Sequence, residues 1–125
     1  MSLDTVIIED EEAISMVIQV VLTHRGISVE KAHTGGEGLE IIRREHPAVV
    51  LLDVRLPDME GWEVCRQLKQ SGDGQSPVVV FLTAATQERD RQMAQEVGGD
   101  FFISKPFDID QLVSVVRDFL QVKQV

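Results

Sequence analysis

The sequence predicts an α/β fold in which one parallel sheet is covered by helices on both faces. Short runs rich in β-branched residues alternate five times with helix-length amphipathic segments. Two of these runs are apolar throughout, which is typical of central strands that are buried on both faces. A length of 125 residues, of which 43% are hydrophobic and 26% charged, is that of one globular domain. We therefore expect a single doubly wound domain.

The five predicted strands are Thr5–Ile8, Ile27–Ala32, Val49–Asp53, Val78–Thr83 and Phe101–Ser104. The third and fourth are the apolar ones, and we place them at the centre of the sheet. The run from Ile27 to Glu30 alternates apolar and polar residues, which indicates a half-exposed edge strand.

The segments between the strands have helical periodicity. In the first of them a predicted buried stripe follows the i, i+3, i+4 spacing and consists of Ile14, Val17, Ile18, Val21 and Leu22. Met16 and Val20 lie outside that stripe, and two interpretations stay open. Either the buried face is wide, or these side chains form a docking patch for a helix of a partner protein.

Helix boundaries are marked by capping residues. Thr34 and Glu37 have the spacing of a capping box, and Asp108 and Gln111 repeat it before the last helix. Pro47 predicts that the second helix ends just before it.

Composition excludes several classes of function. A net charge of −9 argues against direct nucleic-acid binding, since phosphate contacts need Lys and Arg. No apolar run approaches the roughly 18 residues of a membrane helix, so we expect no membrane association. The N-terminus has no basic segment of a secretory signal, and Cys65 is the single cysteine. These features predict a cytoplasmic protein.

Chemically active side chains follow four of the predicted strands. The first strand leads into Glu9 and Asp10, the third ends in Asp53, the fourth in Thr83, and the fifth is followed by Lys105. In an open parallel sheet, ligands bind at the carboxyl ends of the strands. The sequence therefore predicts that three carboxylates, a hydroxyl and an ammonium meet at one edge.

Three clustered carboxylates repel one another unless a cation lies between them. Mg²⁺ is the cation expected, because it accepts a few carboxylates together with water and phosphate oxygens. A carboxylate neutralised in this way acts as a nucleophile without a general base. Asp53 is the candidate nucleophile because its strand is the most buried. Lys105 and Thr83 are expected to stabilise charge on a transferred phosphoryl group.

Taken together, the motifs resemble the receiver domain of two-component response regulators over essentially the whole chain. The motifs are IIEDE with Glu9 and Asp10, LLDVRLPDMEG with Asp53, Pro57 and Gly61, FLTAA with Thr83, and SKPF with Lys105 and Pro106. The resemblance implies the flavodoxin-like (βα)5 sandwich with strand order 2-1-3-4-5. It also implies one receiver domain over residues 1–125, either alone or cut from a longer regulator.

The resemblance implies a phosphorylation switch. Asp53 would accept a phosphoryl group from a sensor histidine kinase or a histidine phosphotransfer protein. Mg²⁺, or Mn²⁺, would be held by Asp10, Asp53 and the backbone carbonyl of Arg55, and by Glu9 through water. Lys105 would contact the phosphoryl group, and the peptide bond between Lys105 and Pro106 would be cis.

Further roles come from the same resemblance. Thr83 would move toward the phosphoryl group, and Phe102 would turn inward behind it. Arg55 and Ala85 occupy rim positions that set the lifetime of the phosphorylated state. Ala85 cannot position an attacking water and Arg55 would shield the site, so the expected lifetime is longer than that of fast chemotaxis-type regulators.

Partners and alternatives complete these expectations. The downstream effector or output domain is unknown, and a phosphorylation-dependent dimer is an option, with charged pairs on the last two helices (Arg89, Arg91, Asp108 and Asp110). The alternative function is a pseudo-receiver that binds partners without phosphorylation; the complete set of acids, Thr83 and Lys105 argues against it. A phosphohydrolase of the haloacid dehalogenase type needs a D-x-D motif on the first strand, which this chain lacks.

Overall fold

A computed structural model describes residues 3–70, 76–84 and 88–123. Within these residues, strands and helices alternate along the chain. They are β1 (Thr5–Ile8), α1 (Glu12–His24), β2 (Val29–Ala32), α2 (Gly35–Glu45), β3 (Val49–Asp53), α3 (Gly61–Lys69), β4 (Val78–Thr83), α4 (Glu88–Glu96), β5 (Phe101–Ser104) and α5 (Ile109–Lys123).

All five strands pair in parallel, in the order β2-β1-β3-β4-β5. β2 and β3, which are consecutive along the chain, lie on opposite sides of β1, so the strand order reverses between β1 and β3. This switch point is where a crevice opens outside the carboxyl ends of the strands. The predicted fold class and strand order are confirmed.

The sheet separates two hydrophobic cores. On one face α1 and α5 bury apolar residues such as Ile18, Leu22 and Leu112 against the sheet. On the other face α2, α3 and α4 pack around Phe81, the largest side chain that is fully buried. Both central strands are buried at every position, which matches their uninterrupted apolar sequence.

The predicted helix boundaries have their physical cause in capping contacts. The Thr34 hydroxyl accepts a hydrogen bond from the Glu37 amide at 3.1 Å and starts α2. An Asp108 oxygen accepts one from the Asp110 amide at 2.8 Å at the start of α5. The second helix ends before Pro47, with His46 in the left-handed region at φ 50°.

Two expectations need correction. β2 begins at Val29 rather than at Ile27, because the Ile27 amide bonds to the carbonyl of Leu22 and so completes the end of α1. In α1 the predicted buried stripe is too wide, since Val17 is 49% exposed. Met16 and Val20, at 50% and 60%, are exposed as well, so the wide buried face is wrong and an apolar patch remains on the surface.

Candidate functional site

A cleft of ≈ 350 Å³ opens at the carboxyl edge of the sheet. Its walls come from the ends of β1, β3, β4 and β5, which parallel pairing brings together. The lining residues are Asp10, Glu11, Asp53, Arg55, Thr83, Ala84 and Lys105. Five of the predicted site residues therefore share one cleft. The predicted rim residue Ala85 lies outside the described residues.

Lys105 bridges two buried carboxylates. Its ammonium lies 2.9 and 3.1 Å from the two carboxylate oxygens of Glu9 and 3.2 Å from Oδ2 of Asp53. Glu9 is fully buried and Asp53 is 6% exposed. Buried charges need paired partners, and here one cation compensates two acids. Lys105 thus reaches farther than the sequence predicts, because it contacts Glu9 as well as Asp53.

The electrostatics of this cluster are strongly perturbed. Burial, followed by hydrogen bonding to Asp53, raises the pKa of Glu9 to about 8, against the lowering effect of Lys105. Burial also acts to lower the pKa of Lys105, but the hydrogen bond to Glu9 and the charges of both acids outweigh it, so this pKa is raised. Burial and the neighbouring Asp53 thus disfavour the charged form of Glu9, whereas Lys105 opposes them.

The donor set fits a hard divalent cation. Carboxylate oxygens of Glu9, Asp10 and Asp53 all lie within 4.8 Å of one another. Asp10 is exposed at the mouth of the cleft, whereas the other two acids are buried. Oxygen ligands from a few carboxylates, with solvent access for water, are what Mg²⁺ uses in proteins.

The loop after β3 is folded tightly against the phosphoacceptor candidate. The Arg55 amide donates to Oδ1 of Asp53 at 3.3 Å, and Arg55 pairs with Glu60 in an isolated antiparallel bridge. The Gly61 amide donates to the Val54 carbonyl at 2.6 Å. A Cβ at Gly61 would lie 2.2 Å from the Asp53 carbonyl oxygen, so the approach of α3 to this backbone requires glycine.

Thr83 and Phe102 lie on one face of the sheet. Phe102 pairs in register with Phe81, which is two residues before Thr83 on β4. Side chains two apart on a strand share a face, and partners in register do the same. Phe102 is half-buried, and its ring centroid lies 5.8 Å from the Arg91 guanidinium carbon. The predicted switch pair is therefore brought together on the side covered by α4.

The loop after β5 carries Lys105 into the cleft. The Lys105 amide bonds to the Thr83 carbonyl at 2.8 Å, and the peptide bond between Lys105 and Pro106 is cis, as the resemblance implied. This contact ties the ends of β4 and β5 together.

Sequence reasoning missed several neighbours of the site. Glu11, which follows the acidic pair Glu9 and Asp10, lines the cleft as well. Glu12 contacts both Lys31, at 3.0 Å, and His33. These contacts lower the pKa of Glu12, the hydrogen bond to His33 first. His33 is separated from the acids along the chain by α1 and β2, but it lies near them in space because β2 pairs with β1.

Comparison with known proteins decides the family. The family model for the response regulator receiver domain matches residues 5–117. The chain belongs to this family. The receiver domain is 36% identical over 121 residues to the response regulator MprA of Mycobacterium bovis, covering 97% of this chain and 52% of MprA.

Solved receiver structures are similar over nearly the whole chain. A CheY-like receiver domain protein of Methanospirillum hungatei matches with a TM-score of 0.90 and 27% identity, covering 99% of this chain and 98% of that one. The BeF3-activated receiver domain of Klebsiella pneumoniae RstA matches with a TM-score of 0.85 and 28% identity, covering 94% and 97%.

Membership of this family assigns a general role. A response regulator receiver domain is a phosphorylation-dependent signalling switch of two-component systems rather than a classical enzyme. Such domains typically bind Mg²⁺ at an acidic pocket, and this receiver domain has an acidic cluster of that kind. The chain spans about half the length of the curated relatives it matches. Among the described helices, none has the length and apolar character needed to span a bilayer.

Proposed function

We propose that Asp53 accepts a phosphoryl group from a histidine kinase or a histidine phosphotransfer protein, and that this modification switches partner binding. The observation that carries the proposal is the Lys105 ammonium, held 3.2 Å from the Asp53 carboxylate in a cleft open to solvent. A carboxylate is a nucleophile that needs no general base, and the adjacent ammonium offsets charge on the incoming phosphoryl group.

Phosphoryl transfer in the cleft exchanges the bond from phosphorus to the donor histidine for a bond from phosphorus to Asp53. An Asp53 oxygen forms a bond to phosphorus while the phosphorus–nitrogen bond of the donor histidine breaks, and its electron pair passes to the imidazole nitrogen. Lys105 offsets the charge on the phosphoryl oxygens, and the Thr83 hydroxyl donates to one of them. Water later forms a bond to phosphorus while the bond from phosphorus to the Asp53 oxygen breaks, which releases inorganic phosphate and restores the carboxylate. The domain therefore acts on itself rather than on a free substrate.

A bound divalent cation would supply further neutralisation of phosphoryl charge. Asp10, Asp53 and the carbonyl of Arg55 would hold Mg²⁺ or Mn²⁺ directly, and Glu9 would do so through water. The geometry supports this assignment, because carboxylate oxygens of Glu9, Asp10 and Asp53 all lie within 4.8 Å of one another.

The central test uses the wild-type domain with a small phosphodonor. Intact mass measurement should show one phosphoryl adduct when Mg²⁺ is present and almost none when a chelator removes it, because the crowded acids then repel the donor. Absence of an adduct with Mg²⁺ present would refute the proposal and favour a pseudo-receiver.

Phosphorylation would be read out through Thr83 and Phe102. If the Thr83 hydroxyl moves toward the phosphoryl group, space opens on the face that it shares with Phe102. Phe102 would then leave Arg91 and turn inward, and the surface of α4 and β5 would change. A dimer that forms on phosphorylation through Arg89, Arg91, Asp108 and Asp110 stays a prediction.

The donor protein is proposed to dock on α1. Met16, Val17 and Val20 form an exposed apolar patch on the helix that starts beside the cleft. An apolar helix face of this kind suits packing against a partner helix.

Met16→Glu should lower the rate of phosphotransfer from a cognate kinase about tenfold, since it places a charge in an apolar contact. Self-phosphorylation by a small donor should be unchanged. The measurement compares both rates in the same preparation, with the exposed Val122→Glu as a matched control on α5. Equal loss of both rates would place the defect in the site or the fold rather than in docking.

Arg55 is expected to prolong the phosphorylated state. Its side chain lines the cleft and is exposed, so it shields the phosphoryl group at the rim. Arg55→Ala should shorten the lifetime of the adduct about threefold, the effect of one solvent-screened charge. Loss of the wild-type adduct within seconds of donor removal would contradict a slow regulator.

A further inference from the structure

Asp58 connects the loop after the phosphoacceptor to a different helix. Its two carboxylate oxygens accept hydrogen bonds from the amides of Gly35 and Gly36, at 2.8 and 2.9 Å, at the start of α2. These two bonds, that from Gly36 first, lower the pKa of Asp58 although the residue is exposed. A carboxylate at this position also interacts favourably with the helix dipole.

The contact between loop and helix is close-packed. A Cβ at Gly35 would lie 2.6 Å from Cγ of Met59 and 3.0 Å from a methyl carbon of Val64. The start of α2 therefore rests directly on the residue that follows Asp58. The loop tip has little freedom to shift along the helix while both the packing and the two hydrogen bonds are in place.

The same loop carries the backbone of Arg55 at the cleft. Its base is closed by backbone contacts, the Arg55–Glu60 bridge and the bond from Gly61 to Val54. Its tip is tied to α2 by the side chain of Asp58. Beyond these backbone contacts at the base, the side chains of Asp58 and Met59 hold the loop tip against α2, and the two hydrogen bonds of Asp58 are the part that a substitution removes selectively.

We propose that Asp58 is a positioning residue for the cation site, because it clamps the loop that presents the Arg55 carbonyl. This inference rests on the proposed function, in which that carbonyl is a ligand. Groups that hold a metal ligand in place typically affect affinity by tenfold or more.

A purely structural role for Asp58 would be to cap α2, and the chain offers a matched control for it. Thr34 is already the N-cap of α2 and bonds to the Glu37 amide at 3.1 Å. Thr34→Ala weakens the same helix end without removing a contact made by the loop. If Asp58 only caps α2, Asp58→Ala and Thr34→Ala should change the affinity for the cation equally. If Asp58 positions the loop, only Asp58→Ala should lower that affinity.

The experiment measures Mn²⁺ binding directly, from the electron paramagnetic resonance signal of the free ion, without any phosphorylation. Asp58→Ala should raise the dissociation constant about tenfold. Asp58→Asn keeps an acceptor oxygen for one amide, so its rise should be roughly threefold. Thr34→Ala should bind as the wild type does, although we expect urea unfolding to show it destabilised about as much as Asp58→Ala.

Each result has one consequence. Wild-type affinity in both Asp58 variants would overturn the positioning role alone. An equal loss of affinity in Thr34→Ala would overturn it too, since stability of the helix start would then be the cause. A wild-type domain that binds no Mn²⁺ would overturn the proposed function, and this inference with it.

Discussion

Asp53→Asn is expected to abolish the phosphoryl adduct completely while the domain stays folded. The amide cannot form an acyl phosphate. Of the remaining acids, Glu9 is fully buried and does not line the cleft, and Asp10 follows β1 rather than β3. Folding should not suffer, because the variant removes one of three crowded carboxylates. Asp53 is also one cause of the raised pKa of Glu9, so its replacement should lessen that rise.

Intact mass after incubation with a small phosphodonor and Mg²⁺ measures this effect. Asp10→Asn is the matched comparison, since it removes a neighbouring carboxylate but keeps the nucleophile. It should form the adduct slowly rather than not at all. An adduct that forms equally in the wild type and in Asp53→Asn would show that another residue is the acceptor.

Lys105→Met should slow self-phosphorylation about 100-fold or more, the typical effect of removing one group that stabilises developing negative charge. The variant also leaves Glu9 without its two short contacts, at 2.9 and 3.1 Å, inside the fold. A buried acceptor that loses its partner costs about 1–3 kcal/mol, so we expect a lower free energy of unfolding as well.

The stability loss should depend on pH in a defined direction. The pKa of Glu9 is raised from 4.5 to about 8 in the folded protein, so its contribution to stability is fully present below 4.5 and is lost as pH rises to about 8. Lys105 lowers that pKa, and without it the value rises further. The variant therefore keeps losing stability above pH 8, where the wild type has levelled off.

Urea unfolding at about pH 6 and about pH 9 measures the difference, which should be larger at the higher pH. Lys69→Met is the matched control, because Lys69 also has two partners, Asp100 at 2.9 Å and the Pro77 carbonyl at 3.0 Å, at the opposite edge of the sheet. It should lose stability but phosphorylate normally. A normal rate of phosphorylation in Lys105→Met would show that Lys105 has no role in phosphoryl transfer.

The strands were predictable from sequence because their signal is local. Val49–Asp53 and Val78–Thr83 are buried at every position, and an uninterrupted apolar run predicts that directly. The start of β2 was not predictable to the residue. Whether the Ile27 amide joins a strand or completes the preceding helix depends on its hydrogen bond to the Leu22 carbonyl. The pattern of hydrophobic residues does not predict that hydrogen bond.

The buried face of α1 shows a second limit. Apolar residues occur on several sides of this helix, so periodicity alone admits more than one stripe. The contact of α1 with the sheet and α5 leaves Met16, Val17 and Val20 outside. Only packing decides which apolar residues face the solvent, and here it leaves the patch proposed for docking.

The candidate site, too, was predictable from sequence only in part. Sequence alone determined that Asp10, Asp53, Thr83 and Lys105 meet at one edge, because the carboxyl ends of parallel strands converge whatever the details of packing. Tertiary structure decided that Glu9 is fully buried against Lys105 and that Asp58 clamps the start of α2. Such contacts join residues remote along the chain, and their distances depend on how loops close over the sheet. No local pattern encodes that closure.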